Sequence, residues 1–278
     1  MRILIYGTGV MGKGIAQIMS MSNEVLLYNP RVESTRKAFV FLTNSIEKLV
    51  VKGKLSREDA QICLDNVRVI RSLEDAYEVD LVIEAVPEDI AIKKDKFKEL
   101  DQIINKEAIF ASNTSSLSIT ELAMVTNRPT QVIGMHFFNP APLMGLVEVI
   151  IGMTTSSRTV EYVRNIAISL GKTPVLVNEA PGFIVNRMLI PMINEAIAIY
   201  GEGIASAEDI DTAMVRGANH PIGPLALADL IGLDVCLSIM DVLHKEFGID
   251  KYNAHPYLRK MVRAHKLGRK TKEGFYKY

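Results

Sequence analysis

Apolar positions follow two rhythms along this chain. Up to about residue 178, short β-rich apolar runs alternate with longer amphipathic segments. The runs are 3–6, 25–28, 67–70, 81–85, 108–111, 132–135, 147–151 and 175–177. Such near-continuous apolar runs suit a sheet buried on both faces. The segments between them, 11–21, 32–51, 90–104 and 158–170, have helical periodicity. This alternation predicts an α/β fold with a doubly wound, mostly parallel sheet. After Pro181-Gly182 the pattern is all-helical, with helices expected at 183–200, 207–215, 225–232, 234–247 and 256–265. Ser206-Ala207-Glu208-Asp209 is a helix start, with Ser206 as cap and acids in the first turn. The domains expected are therefore 1–180, α/β, and 181–278, all-α. Lys93, Lys94, Lys96 and Lys98 alternate with acids and read mostly as a solvated helix face.

Composition narrows the classes. Over 278 residues, apolar residues make up 48% and charged residues 23%, ordinary globular usage that excludes coiled coil and disorder. Lys+Arg and Asp+Glu are both 32, which argues against a nucleic-acid partner held by bulk charge. Cys63 and Cys236 are too few and too far apart for a disulfide scaffold, so reduced thiols and a cytoplasmic location are expected. No apolar run reaches the ~18 residues of a membrane span, so no membrane association is expected. The apolar stretch at 3–6 breaks at once into glycines, unlike a signal peptide.

Those glycines carry the first chemistry. Gly7-Thr8-Gly9-Val10-Met11-Gly12 follows the first strand and opens a helix. In this motif the first glycine permits the turn, the second admits a pyrophosphate, and the third lets helix and strand pack closely. The helix N-terminus, with Val10 and Met11 in its first turn, offers N–H groups to phosphate. A Rossmann-type dinucleotide-binding domain is expected. The motif also calls for an acid about 20 residues on, at the end of the second strand. Asn29 stands there, followed by Pro30-Arg31. Asparagine does not repel a 2′-phosphate, and Arg31 can pair with one. This tilts the expectation toward NADP over NAD; the competing reading makes Arg31 a solvated residue and lets Asn29 serve NAD.

Four further segments stand out. Ser112-Asn113-Thr114-Ser115-Ser116 follows a strand, where open α/β sheets place ligands; Ser115 also reads as a helix cap. His136-Phe137-Phe138-Asn139-Pro140 follows another strand. Glu148 interrupts the apolar run Leu146-Val147-Glu148-Val149-Ile150, which is costly unless the carboxylate is paired. A His136–Glu148 pair supplies that partner and is what a general base needs. One His and one Glu lack the further ligands of a zinc site, so no metal is expected. Pro181-Gly182-Phe183-Ile184-Val185-Asn186-Arg187 crosses the domain boundary.

Together with Glu84-Ala85-Val86-Pro87-Glu88, Ile210-Asp211-Thr212-Ala213-Met214, Pro221-Ile222-Gly223-Pro224 and Gly274-Phe275-Tyr276, these motifs resemble, over essentially the whole chain, the 3-hydroxyacyl-CoA dehydrogenase family in its short single-function, 3-hydroxybutyryl-CoA form. The resemblance implies reversible hydride transfer between (3S)-3-hydroxyacyl-CoA and a nicotinamide cofactor. It makes His136 the general base, Glu148 its paired acid, and Ser115 and Asn186 the contacts to the reacting oxygens. It puts Glu88 and Lys93, with Asn113, on the cofactor side, and Lys52 and Lys54 at the CoA phosphates. Asn29 departs from the acid common in NAD-dependent members. The resemblance further implies a homodimer formed through the helical domain. Two rival readings share the fold: a β-hydroxyacid dehydrogenase acting on a free acid, with His136 idle, and a non-catalytic dinucleotide-binding protein.

Overall fold

The computed structural model describes residues 1–278. The chain divides into two compact units, Met1–Ala180 and Pro181–Tyr278. In the first, β1 (Arg2–Tyr6), β2 (Glu24–Tyr28), β3 (Val67–Val69), β4 (Leu81–Glu84), β5 (Ile109–Ser112), β6 (Val132–Phe137), β7 (Leu146–Ile151) and β8 (Thr173–Asn178) form one sheet in the order β3-β2-β1-β4-β5-β6-β7-β8. Every neighbouring pair is parallel except β6 and β7, which are antiparallel. The order reverses at β1, flanked by β2 and β4, which is where such sheets open a ligand crevice.

Helices α1 (Val10–Met19), α2 (Val32–Val51), α3 (Arg57–Asp65), α4 (Ile90–Ile103), α5 (Ile119–Ala123) and α6 (Ser157–Ser169) complete this unit. On one face, Ile3 and Ile5 of β1 pack with Ile15 and Met19 of α1 and Val163 of α6. Alternate residues Leu4, Val82 and Phe110 are buried on the other face, where Phe97 of α4 meets Phe110 edge-on at 5.9 Å between ring centres. Burial on both faces is why the strands lack polar alternation.

Two helices escape the apolar pattern. In α3 only Ala60 and Cys63 are buried; its start is written instead in Ser56, whose hydroxyl accepts the Asp59 N–H at 2.9 Å. The α5 helix has five residues, too few to show a period, and its cap is Ser118, not Ser115. The solvated lysine face expected in α4 also needs correction at its first member: Lys93 is 1% exposed. Lys94 pairs with Glu121, and Lys96 with Glu99 at 2.8 Å.

The end of α4 is closed by Arg128. Its guanidinium lies over the Phe110 ring at 4.4 Å, bonds Asp101 Oδ1 at 2.6 Å and donates to the Asp101, Ile104 and Asn105 carbonyls. The Asp101 and Ile104 carbonyls lie at the helix C-terminus, where backbone oxygens lack intrahelical donors.

The second unit holds α7 (Val185–Gly201), α8 (Ala207–Gly217), α9 (Pro224–Ile231), α10 (Leu233–Phe247) and α11 (Pro256–Arg263). Ile193, Ile197, Leu225, Leu233, Met240, Leu243 and Leu258 share its core. Ser206 caps α8 by accepting the Asp209 N–H at 3.1 Å. Asp211 caps α9, accepting the Leu225 and Ala226 N–H groups at 2.8 and 2.9 Å. Asp229 accepts the Phe275 and Tyr276 N–H groups and the Tyr278 hydroxyl, so the tail is tied to α9. Burial pushes the Asp229 carboxyl above its ordinary range, against the opposing pull of those donors. No helix is long and apolar enough to cross a membrane.

The Arg128–Asp101 pair is buried on both sides, at 5% and 3% side-chain exposure. Removing one charge from such a pair strands the other, at about 3–5 kcal/mol. Asp101→Asn is therefore expected to lower the free energy of urea unfolding by that order, with the midpoint falling accordingly; an unshifted midpoint would show that the carbonyls alone satisfy the guanidinium.

Candidate active site

The dinucleotide loop is built as its glycines require. Gly7 has φ +113°, and a Cβ there would strike the Ala85 carbonyl. A Cβ on Gly12 would run into the Gly7 carbonyl, so α1 packs closely on β1. At Gly9, the residue before α1, a Cβ would meet nothing within 4 Å. The loop thus leaves open space in front of the first N–H groups of α1, beside the exposed Val10 and the half-buried Met11. Thr8 in the same loop is 8% exposed, and its hydroxyl has no protein partner. An open cradle at a helix N-terminus with an unmatched hydroxyl fits a phosphate-bearing ligand.

At the end of β2, Asn29 Oδ1 accepts the Arg31 N–H at 2.9 Å. Its amide therefore shapes the turn into α2, at whose start Arg31 is exposed. Lys52 and Lys54 are exposed in the turn that leaves α2, around Gly53 with φ +65°.

Beyond β4 and β5 lies a polar cluster. Glu84 ends β4 with 0% exposure. One of its oxygens accepts Lys93 Nζ and the Val86 N–H, both at 2.7 Å, and the other accepts the Ser112 hydroxyl at 2.6 Å. Lys93 Nζ is also 3.3 Å from Glu88 Oε2. Glu88 Oε1 accepts the Thr114 hydroxyl at 2.6 Å, the Ser115 N–H at 2.7 Å and the Ser115 hydroxyl at 3.1 Å. Burial raises the Glu88 carboxyl, but the Lys93 ammonium and these donors outweigh it and bring it below the ordinary carboxylate range. Asn113 Oδ1 accepts the Phe137 N–H at 2.9 Å, which ties this loop to the end of β6.

His136 and Glu148 are direct partners across the antiparallel β6–β7 pair. Nδ1 of His136 lies 2.8 Å from Glu148 Oε2, with the side chains 7% and 1% exposed. A carboxylate can only accept, which assigns the proton to Nδ1 and leaves Nε2 as the basic nitrogen. The Phe138 ring packs on the imidazole at 4.4 Å. The loop from β6 to β7 is clipped by Lys172, which donates to the Ala141 and Met144 carbonyls at 2.8 Å. Burial brings this ammonium below the ordinary lysine range.

Asn186 belongs to the second unit, in the first turn of α7. The chain enters that helix through Gly182 and Phe183, both at positive φ, 72° and 52°. No group of three or more His, Cys, Asp or Glu side chains is placed to hold a metal ion.

Site reasoning from sequence passed over Glu84. The signal was present: a carboxylate ending an apolar run, the same argument that singled out Glu148.

A doubly wound sheet with an open glycine cradle defines the first unit as a dinucleotide-binding domain. It matches the family model described as 3-hydroxyacyl-CoA dehydrogenase, NAD binding domain, over residues 2–180, and the second unit matches the C-terminal domain model over 182–278. The chain belongs to the 3-hydroxyacyl-CoA dehydrogenase family of oxidoreductases. It is 54% identical to a 3-hydroxybutyryl-CoA dehydrogenase of Clostridioides difficile, covering 100% of this chain and 99% of that one. The human mitochondrial hydroxyacyl-coenzyme A dehydrogenase is 41% identical, over 99% of this chain and 90% of its own. Among solved structures, the (S)-3-hydroxybutyryl-CoA dehydrogenase of Ralstonia eutropha superposes with a TM-score of 0.97 at 46% identity, covering 100% of this chain and 98% of that one.

Glu88 gives a pH signature. Its carboxyl is lowered in the folded chain from an ordinary value of 4.5. Its contribution to stability is then present above that value and is lost as pH falls through the lowered folded one. The gap in melting temperature between wild type and Glu88→Gln should be open at pH 6, begin to narrow near pH 4.5 and close only at lower pH; a gap independent of pH would contradict the ionised role.

Proposed function

We propose that this chain interconverts (3S)-3-hydroxyacyl-CoA, with 3-hydroxybutyryl-CoA as the preferred member, and 3-oxoacyl-CoA. The observation that supports this reading most is the buried His136–Glu148 pair at 2.8 Å. A bound nicotinamide dinucleotide supplies the hydride acceptor for C3 in oxidation and the donor in reduction. His136 takes the substrate hydroxyl proton on Nε2 and returns it in the reverse direction. Glu148 keeps Nδ1 protonated and stabilises the imidazolium that proton capture creates. Ser115 and Asn186 hold the reacting oxygens. Gly7, Gly9 and Gly12 shape the phosphate cradle, with Val10 and Met11 opening its helix. Lys52 and Lys54, both exposed, are candidates for the CoA phosphates. The named relatives support the preference for a four-carbon acyl chain.

On cofactor choice, the reading favours NADP. No acid stands at the end of β2, and Arg31 is exposed at the start of α2, where a guanidinium pairs well with a 2′-phosphate. The protein is read as cytoplasmic, with Cys63 and Cys236 as free thiols. It is read as a homodimer formed through the second unit, where Met188, Leu230 and Val235 are exposed; light scattering reads the mass directly.

Initial rates with acetoacetyl-CoA and longer 3-oxoacyl-CoAs, each with NADH and NADPH, test the whole reading. Turnover confined to free 3-hydroxy acids would sink it. His136→Ala should lower kcat by roughly 10²–10⁴ if the imidazole is the general base, and near-normal kcat would end that assignment. Arg31→Ala is expected to weaken NADPH while sparing NADH; an equal effect on both would show that Arg31 reads no phosphate.

A further inference from the structure

The buried ion pair behind the Ser115 loop calls for an explanation. Glu84 and Lys93 are 0% and 1% exposed at their side chains, yet apolar residues of similar volume would stabilise such a position as well or better. What the pair achieves here is connection. The Lys93 ammonium sits between two carboxylates, 2.7 Å from Glu84 Oε1 and 3.3 Å from Glu88 Oε2. Glu84 is held by the Val86 N–H and the Ser112 hydroxyl, so the ammonium has one rigid partner. Its second partner, Glu88, is 36% exposed and carries both the N–H and the hydroxyl of Ser115.

We propose that Glu84 is a positioning residue that acts through Lys93 and Glu88 to fix Ser115 at the substrate's reacting oxygen. This rests on the role given to Ser115 above. In this relay, the strand end holds Glu84, Glu84 holds Lys93, Lys93 orients Glu88, and Glu88 sets the Ser115 loop. Lys93 accordingly serves the reaction from inside the protein. Glu84 also accepts the hydroxyl of Ser112, the residue from which that loop departs, so the loop is fixed at its root as well.

Two measurements on Glu84→Gln, which keeps the shape and removes the charge, test the relay. Hydrogen exchange followed by mass spectrometry should show faster exchange in peptides covering 112–117, with peptides covering β1 unchanged. Unaltered exchange at 112–117 would overturn the relay. The second measurement is a double-mutant cycle on kcat with Ser115→Ala. Glu84→Gln should lower kcat by about tenfold in the wild-type background and have almost no further effect beside Ser115→Ala, a coupling of the size seen between members of one network. Independent, multiplying losses would mean that Glu84 acts on overall structure, and would also overturn the proposal. Lys93→Gln, run in parallel, reads the same link should Glu84→Gln fold poorly. If the wild-type chain turned over no acyl-CoA, the functional reading would fall while the exchange experiment still decided the relay.

Discussion

The pairing of one imidazole with one carboxylate across two antiparallel strands organises the β6–β7 edge of the first unit. His136 and Glu148 lie opposite each other in the β6–β7 ladder, so backbone register, rather than side-chain reach, brings them together. A slip of one residue would turn either group to the other face of the sheet. The flanking residues Met135, Phe137, Val147 and Val149 are all buried, and their burial enforces that register. The pair is itself buried, at 7% and 1% side-chain exposure, which strengthens the bond and raises the cost of leaving either partner alone.

The polar groups of this unit share one design. Each buried charge is met by a group of opposite kind held on a neighbouring element. Glu84 is met by Lys93, Asp101 by Arg128, and Glu148 by His136. Two of these pairs stand at the carboxyl side of the sheet, beyond β4 or on β6 and β7. The third closes the end of α4.

Much of this was legible in the sequence, and the exceptions have physical reasons. The strands were visible because both faces of the sheet are covered, which leaves most of them as near-continuous apolar runs. The edge strand β8 was half visible: it pairs only with β7, begins with Thr173-Pro174, and leaves Leu176 exposed. The reversal of β7 was also within reach. Only residues 138–145 separate it from β6, too few for the crossover that a parallel neighbour needs. Glu148 was legible because it breaks an apolar run. Glu84 breaks one too, but its partner lies nine residues away among surface-like lysines. A helix start that buries its first lysine looks, in one dimension, like a helix start that exposes it. The bonds from Glu88 to Ser115 were beyond reach, since they depend on two loops from different strands meeting in space.

The Lys172 clip has a mechanical meaning. The loop it holds packs its Ala141 against Gly14 on α1, where an added Cβ would come within 3.2 Å of the alanine. The segment joining the histidine strand to the glutamate strand is therefore a span supported at both ends. One support is the helix that opens the dinucleotide cradle, and the other is an ammonium at the foot of the edge strand. Enlarging the side chain at position 14 would push on the segment that joins the strands carrying His136 and Glu148. Packing on the helix that follows the glycine loop is thereby coupled to the loop between the two strands that hold the imidazole and the carboxylate.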